Sequence, residues 1–182
     1  MSKQISIYVH FPFCEQKCRY CDFYSITDET KKLDFIEQLC RELYLSQSKF
    51  GDYKNVNTIF FGGGTPSTFS ARKLEKVINR IASYYNISEC TEFTIECNPG
   101  TIDLEKLRDY KSLGINRLSL GVQSLNENTL RFLGRIHTAN QSMEIIKIAQ
   151  KAGFDNLSID MIFSVPGQSI NSYVRDRKST RL

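Results

Sequence analysis

Apolar residues in this chain fall into two rhythms that take turns. In some short runs they alternate or crowd together. Between those runs they recur every three to four positions. Residues 4–10 (QISIYVH) read as a first strand. Residues 31–48 fit an amphipathic helix with Ile36, Leu39, Cys40 and Leu43 on one face. Residues 56–61 (VNTIFF) form a second strand that ends in Gly62-Gly63-Gly64. Ser70 is placed to cap a helix carrying Leu74, Val77, Ile78 and Ile81. Residues 91–97 (TEFTIEC) are a third strand, followed by a helix around 103–112 that Gly114 closes. Residues 116–121 are a fourth strand. Helical spacing then covers 126–132 and 139–151, with Gly153 ending the second piece, and 156–163 (NLSIDMIF) are a fifth strand.

Repeated strand–helix units predict an α/β fold, because parallel strands need long crossover connections. Right-handed crossovers build either a doubly wound sheet or a barrel, and periodicity does not separate the two. Polar and glycine residues collect after each strand: Cys14 to Cys21, the glycine triplet, Glu96 late in strand three, and Gln123. In a barrel that end of the strands carries the site.

Length and charge narrow the class. With 182 residues and 41% hydrophobic content, one domain with a real core is expected. The net charge of +4 comes largely from RDRKSTRL, where Arg175, Arg177, Lys178 and Arg181 outnumber Asp176. That tail shows no apolar helical period. No basic stripe interleaved with aromatics is present, so no nucleic-acid partner is expected. The chain has no membrane-length apolar run, and MSKQISIYVHF enters a strand directly rather than a signal peptide. Six cysteines without dense spacing point to a reducing, cytoplasmic setting.

Three of those cysteines carry the chemistry. Cys14, Cys18 and Cys21 form C-x3-C-x2-C in YVHFPFCEQKCRYCDF, directly after a strand. Three thiolates within eight residues suit an iron–sulfur cluster on a loop. A closed zinc site wants four ligands, and no fourth Cys or His follows nearby. Three ligands to a four-iron cluster leave one iron open, which points to chemistry rather than a staple. Cys40, Cys90 and Cys97 lie within helix and strand patterns and read as packing residues.

The run GGGTP after strand two lets backbone approach a ligand closely. Glu96 and Asp160 sit among strand residues, where an unpaired carboxylate is costly to bury. Arg135 follows a helix end and suits a bidentate carboxylate clamp. Taken singly, each reads as an ion pair or an edge-exposed side chain. Together with Gln123, all near strand ends of one sheet, they point to a shared ligand.

Five stretches in order, YVHFPFCEQKCRYCDF, FFGGGTPS, IECNPG, LGVQS and IDMIFSVPGQ, resemble the radical S-adenosylmethionine superfamily from about Ile5 to Gln168. Within it the chain is similar to the oxygen-independent coproporphyrinogen III oxidase group. The resemblance implies a partial (β/α)6 barrel, truncated after about five strands. It implies a [4Fe–4S] cluster on Cys14, Cys18 and Cys21, whose open iron chelates S-adenosylmethionine and whose electron releases a 5′-deoxyadenosyl radical and methionine. Tyr8 would then touch the cofactor near the cluster. Gly63, Gly64 and Thr65 would border its methionine part. Glu96, Gln123, Arg135 and Asp160 would take polar contacts, with Arg135 suited to the carboxylate and Asp160 to a ribose hydroxyl.

Two departures refine this. The oxidases carry a further cysteine two positions after the third ligand, where this chain has Cys21-Asp22-Phe23. That form resembles the HemW branch of haem chaperones, with haem or porphyrin as cargo and a flavodoxin or ferredoxin as electron donor. Oxidase activity is the alternative, and a non-catalytic module stabilised by a metal or cluster is the alternative of another class. The family also runs on for about as much chain again. Residues 1–174 are therefore expected to be an incomplete core domain, 175–182 a basic tail outside the family, and a C-terminal domain to be missing. In such a fragment Ile159, Ile162 and Phe163 are expected to lack cover, making residues 1–182 poorly soluble.

Overall fold

The computed structural model of the chain describes residues 3–180, so Arg181 of the basic tail lies outside the described residues. Five strands form one sheet: β1 (Lys3–Phe11), β2 (Tyr53–Gly63), β3 (Glu92–Cys97), β4 (Arg117–Gln123) and β5 (Asn156–Met161). All neighbouring pairs are parallel, and the strands lie in chain order. This order decides between the two architectures. A doubly wound sheet reverses at a switch point. A sheet in which every strand lies beside its successor is the wall of a barrel, here open, with β1 and β5 as its edges.

Side-chain alternation gives that wall two unlike faces. Val9, Phe11, Ile59, Phe61, Phe93, Ile95, Leu118, Leu120 and Val122 are all buried. They pack in one core with α1 (Lys32–Phe50), α2 (Ala71–Tyr84), α3 (Leu104–Ser112) and α5 (Ala139–Lys151). The helices contribute Ile36 and Leu43, then Leu74, Val77, Ile78 and Ile81, then Leu107 and Tyr110, and finally Ile145, Ile146 and Ala149. The other parity holds Tyr8, His10, Gly62, Glu96, Ser119, Gly121, Gln123 and Asp160. One face is therefore core and the other is polar.

Several boundaries differ from the sequence pattern. β4 runs on to Gln123, whose φ of 66° lies in the left-handed region, and the β4–β5 register breaks between Leu120 and Gln123. Ser70 occupies the cap position of α2 but makes no side-chain cap bond. Thr138, by contrast, caps α5 through a reciprocal box with Gln141. β5 ends at Met161, two residues earlier than the pattern suggests.

The largest difference lies after β5. The polar stretch without an apolar period forms a helix, α6 (Ile170–Ser179), whose first turn is capped by Ser169. It docks through a polar residue. The buried Asp176 accepts from Ser124 Oγ at 2.5 Å and from the Leu125 amide at 3.2 Å, on the loop just past β4. Tyr173 also meets Phe163 at 6.1 Å between ring centroids. Ile159 packs against the core and Ile162 is half-buried, although Phe163 stays exposed. Removing the Asp176 carboxylate leaves buried Ser124 and the Leu125 amide without an acceptor. Asp176→Ala should lower unfolding stability by about 1–3 kcal/mol in urea titrations. An unchanged midpoint would make α6 an ornament rather than part of the fold.

Candidate metal and cofactor centre

The loop after β1 starts from a fixed base. Phe11 and Phe13 are buried against Phe35 and Phe69, with ring centroids 5.1–5.8 Å apart. Backbone bonds from Cys14 N to Ile26 O (3.0 Å) and from Ile26 N to Pro12 O (2.8 Å) then close the loop on itself. Two further bonds tie it to the turn ahead of Arg135: Arg19 N to Leu133 O (3.2 Å) and Gln16 Nε2 to Gly134 O (3.2 Å).

The glycine triplet passes directly over this base. Gly64 N donates to Phe11 O at 2.9 Å, and Thr65 N donates to Phe13 O at 2.7 Å. A Cβ on Gly64 would meet Phe13 O at 2.8 Å and Phe11 O at 2.9 Å, which are backbone atoms with nowhere to go. Gly63 adopts φ 108°, and a side chain there would strike the His10 ring at 2.6 Å. Gly64→Ala should therefore push the two loops apart and destabilise the chain by about 1–3 kcal/mol. A thermal melt that matched the parent would show that the loops can part freely.

Ten of the sequence-derived candidates line one cleft of about 510 Å³: Cys14, Cys18, Cys21, Gly63, Gly64, Thr65, Glu96, Gln123, Arg135 and Asp160. That size suits a small-molecule cofactor. Tyr8 is not among the lining residues. It is exposed on the same sheet face, with its hydroxyl 3.1 Å from His10 Nδ1, and loss of water with the nearby Glu96 charge raises its pKa.

The cleft is electrostatically arranged. Glu96 Oε2 accepts from the Gly63 amide at 3.0 Å. Burial still raises the Glu96 pKa, with Asp160 adding to the rise, while the Gly63 amide and His10 oppose it. Asp160 stands exposed on the edge strand, bonded by Ser119 Oγ at 3.3 Å. Lost hydration raises its pKa against the pull of Ser119, Arg117 and Arg135.

Arg135 is the hub. The end of α4 (Glu127–Leu133) sets its place: Gly134 turns the chain at φ 74°, and Arg135 N caps Leu130 O at 2.9 Å. Its Nη2 donates to Asn98 Oδ1 at 2.6 Å and Gly121 O at 2.9 Å. Its Nη1 donates toward Cys18 Sγ at 3.4 Å and lies 3.5 Å from the Tyr20 hydroxyl. Asn98 Nδ2 donates in turn to Thr65 Oγ1 at 3.0 Å, and Thr65 Oγ1 donates to Cys14 Sγ at 3.4 Å. Underneath, Lys106 Nζ holds Ser67 O (2.6 Å) and Thr101 O (2.9 Å), clipping the two loops that carry Thr65 and Asn98.

Asn98, Ser119, Tyr20 and His137 were not picked out from sequence. Ser119 shares the parity of Gln123 along β4, and Asn98 follows β3 within IECNPG, so both had a signal in the strand pattern. His137 and Tyr20 had none, since only the folded loops bring them to Arg135.

The donor set fits a cluster. The three thiols are free and half-buried. Two of the sulfurs face hydrogen-bond donors, Cys14 that of Thr65 and Cys18 that of Arg135, an arrangement that orients ligands. Among the described residues no three His, Cys, Asp or Glu side chains are grouped to hold a single metal ion. The Arg135 Nε and Ser25 Oγ atoms are buried without a partner.

The profile of the Radical SAM superfamily matches residues 8–178, and the chain belongs to that superfamily. Among its curated relatives are the haem chaperone HemW of Haemophilus influenzae and that of Lactococcus lactis. The first is 35% identical over 94% of this chain and 46% of its own length, and the second 37% over 97% and 45%. The chain thus spans about half the length of the curated relatives it matches. Among solved structures, the coproporphyrinogen III oxidase HemN from Escherichia coli superposes with a TM-score of 0.87, at 28% identity, over 97% of this chain and 41% of that one. HydG, a maturase of the [FeFe]-hydrogenase, shares the fold at a TM-score of 0.63. Radical SAM membership implies a [4Fe–4S] cluster and S-adenosylmethionine. Among the described residues no helix is long and apolar enough to cross a membrane.

Proposed function

We propose that this chain is the cofactor-binding half of a HemW-like haem chaperone working in the cytoplasm. The observation that carries the reading is Cys21-Asp22-Phe23, which lacks the further cysteine of the oxidase pattern, in a chain whose curated relatives of 34–37% identity are named as haem chaperones. Cys14, Cys18 and Cys21 hold the cluster. Arg135 takes the carboxylate of S-adenosylmethionine, Gly63, Gly64 and Thr65 border its methionine part, and Asp160 and Gln123 take hydroxyls. Glu96 fixes the Gly63 amide and is left one oxygen for the ligand's amine. The bound group supplies one-electron radical chemistry, and the protein supplies orientation and electrostatics. Haem binds in the full-length protein, a flavodoxin or ferredoxin reduces the cluster, and a separate protein accepts the haem.

The coproporphyrinogen oxidase reading is kept by the 0.87 superposition on HemN. Titration of the anaerobically reconstituted full-length protein separates the two. Saturable haem binding without consumption of coproporphyrinogen III is expected. Decarboxylation of coproporphyrinogen III with no haem binding would give the site to the oxidase.

A further inference from the structure

His137 is buried in the turn that carries Arg135, and nothing assigned above uses it. Its two ring nitrogens have unlike partners. Nε2 lies 3.1 Å from Val122 O, which can only accept, so Nε2 carries a hydrogen. Nδ1 lies 3.4 Å from Arg135 Nη2, which can only donate, so Nδ1 must be bare. Both contacts together specify one tautomer of the neutral ring. Burial and the neighbouring guanidinium agree with this, since they push the imidazole pKa down to about 4.

The same arrangement sorts the donors of Arg135. Nη2 meets Asn98 Oδ1, Gly121 O and His137 Nδ1, which is three acceptors for two hydrogens. Nη1 has only a sulfur at 3.4 Å and a hydroxyl at 3.5 Å, and Nε is buried with no partner. Gly121 belongs to this device. A Cβ there would stand 2.8 Å from Asn98 Oδ1 and 3.5 Å from Arg135 Nη2.

We propose that His137 is a positioning residue: as a neutral Nε2–H imidazole it fixes Arg135 through Nη2, so that Nη1 remains for a ligand carboxylate. This rests on the reading that Arg135 takes the carboxylate of S-adenosylmethionine. An anchored guanidinium loses less freedom on binding than a mobile one. The device also extends to Val122, which places the anchor on β4 rather than on a loop.

The test compares S-adenosylmethionine with its decarboxylated analogue, by equilibrium binding to the cluster-reconstituted protein. His137→Phe should weaken the parent cofactor on the order of tenfold, the range for a lost hydrogen bond to a charged group, and leave the analogue unchanged. His137→Asn, which keeps an acceptor near the Nδ1 position, should recover most of that loss. In an Arg135→Ala background the His137→Phe effect should vanish. Equal weakening of both ligands would mean general damage and would overturn the positioning role. If Arg135→Ala itself failed to discriminate the two ligands, the carboxylate reading would fall, and the His137 role with it. A discriminating Arg135→Ala beside a silent His137→Phe would remove the His137 role alone. Nitrogen NMR of the unsubstituted protein adds an arm that needs no variant. A neutral ring protonated on Nε2 is expected from pH 8 to pH 6, and a Nδ1–H tautomer or an imidazolium there would overturn the proposal.

Discussion

Replacing any one of Cys14, Cys18 or Cys21 with alanine should abolish the four-iron EPR signal after anaerobic reconstitution and reduction. Each thiol is half-buried on the cleft, and two of them face hydrogen-bond donors. The remaining cysteines lie elsewhere. Cys40 and Cys90 are half-buried against the core, and Cys90 Sγ donates to Glu92 O at 3.3 Å. Cys97 is buried, and burial drives its thiol pKa up to about 12, far from the thiolate a metal needs. Cys40→Ala, Cys90→Ala and Cys97→Ala should each retain the full iron and sulfide content. A Cys18→Ala protein that kept its cluster, or a Cys97→Ala protein that lost it, would break the ligand assignment.

The legible part of this site follows from strand parity. Glu96, Gln123 and Asp160 stand out because their positions alternate with apolar residues that must face helices. A polar residue on that period either faces water or faces a ligand. Barrel against doubly wound sheet was not legible, because strand order depends on where each crossover lands and not on the period within any element. The left-handed backbone of Gln123 was hidden as well, since glutamine carries no turn signal. α6 was missed for a related reason. It is held by the Asp176 carboxylate and the Ser169 cap rather than by an apolar stripe, so an apolar period could not reveal it. His137 illustrates the general limit: its meaning comes from two partners, Val122 O and Arg135, that only the folded turn supplies.

Arg135→Ala should weaken S-adenosylmethionine binding by roughly 2–5 kcal/mol, the cost of leaving a desolvated charge without its partner. The guanidinium is half-buried, and its Nη1 has only long contacts to Cys18 Sγ and the Tyr20 hydroxyl, so a bound carboxylate gains a donor that no protein oxygen holds closely. Part of the loss comes from the neighbours, because Asn98 Oδ1 and Gly121 O also lose their donor. Arg135→Lys should recover only a fraction, since an ammonium cannot reproduce the planar fork that spans Asn98, Gly121 and the ligand. Asp160→Asn should cost less than either, because an amide still bonds a hydroxyl and Ser119 remains at hand. The measurement is calorimetric titration of reconstituted protein with iron content matched between variants, which separates cofactor binding from cluster loss through the Cys18 contact. An Arg135→Ala protein with a full cluster and parental affinity would return this arginine to a structural role, bracing the cysteine loop against the end of β4.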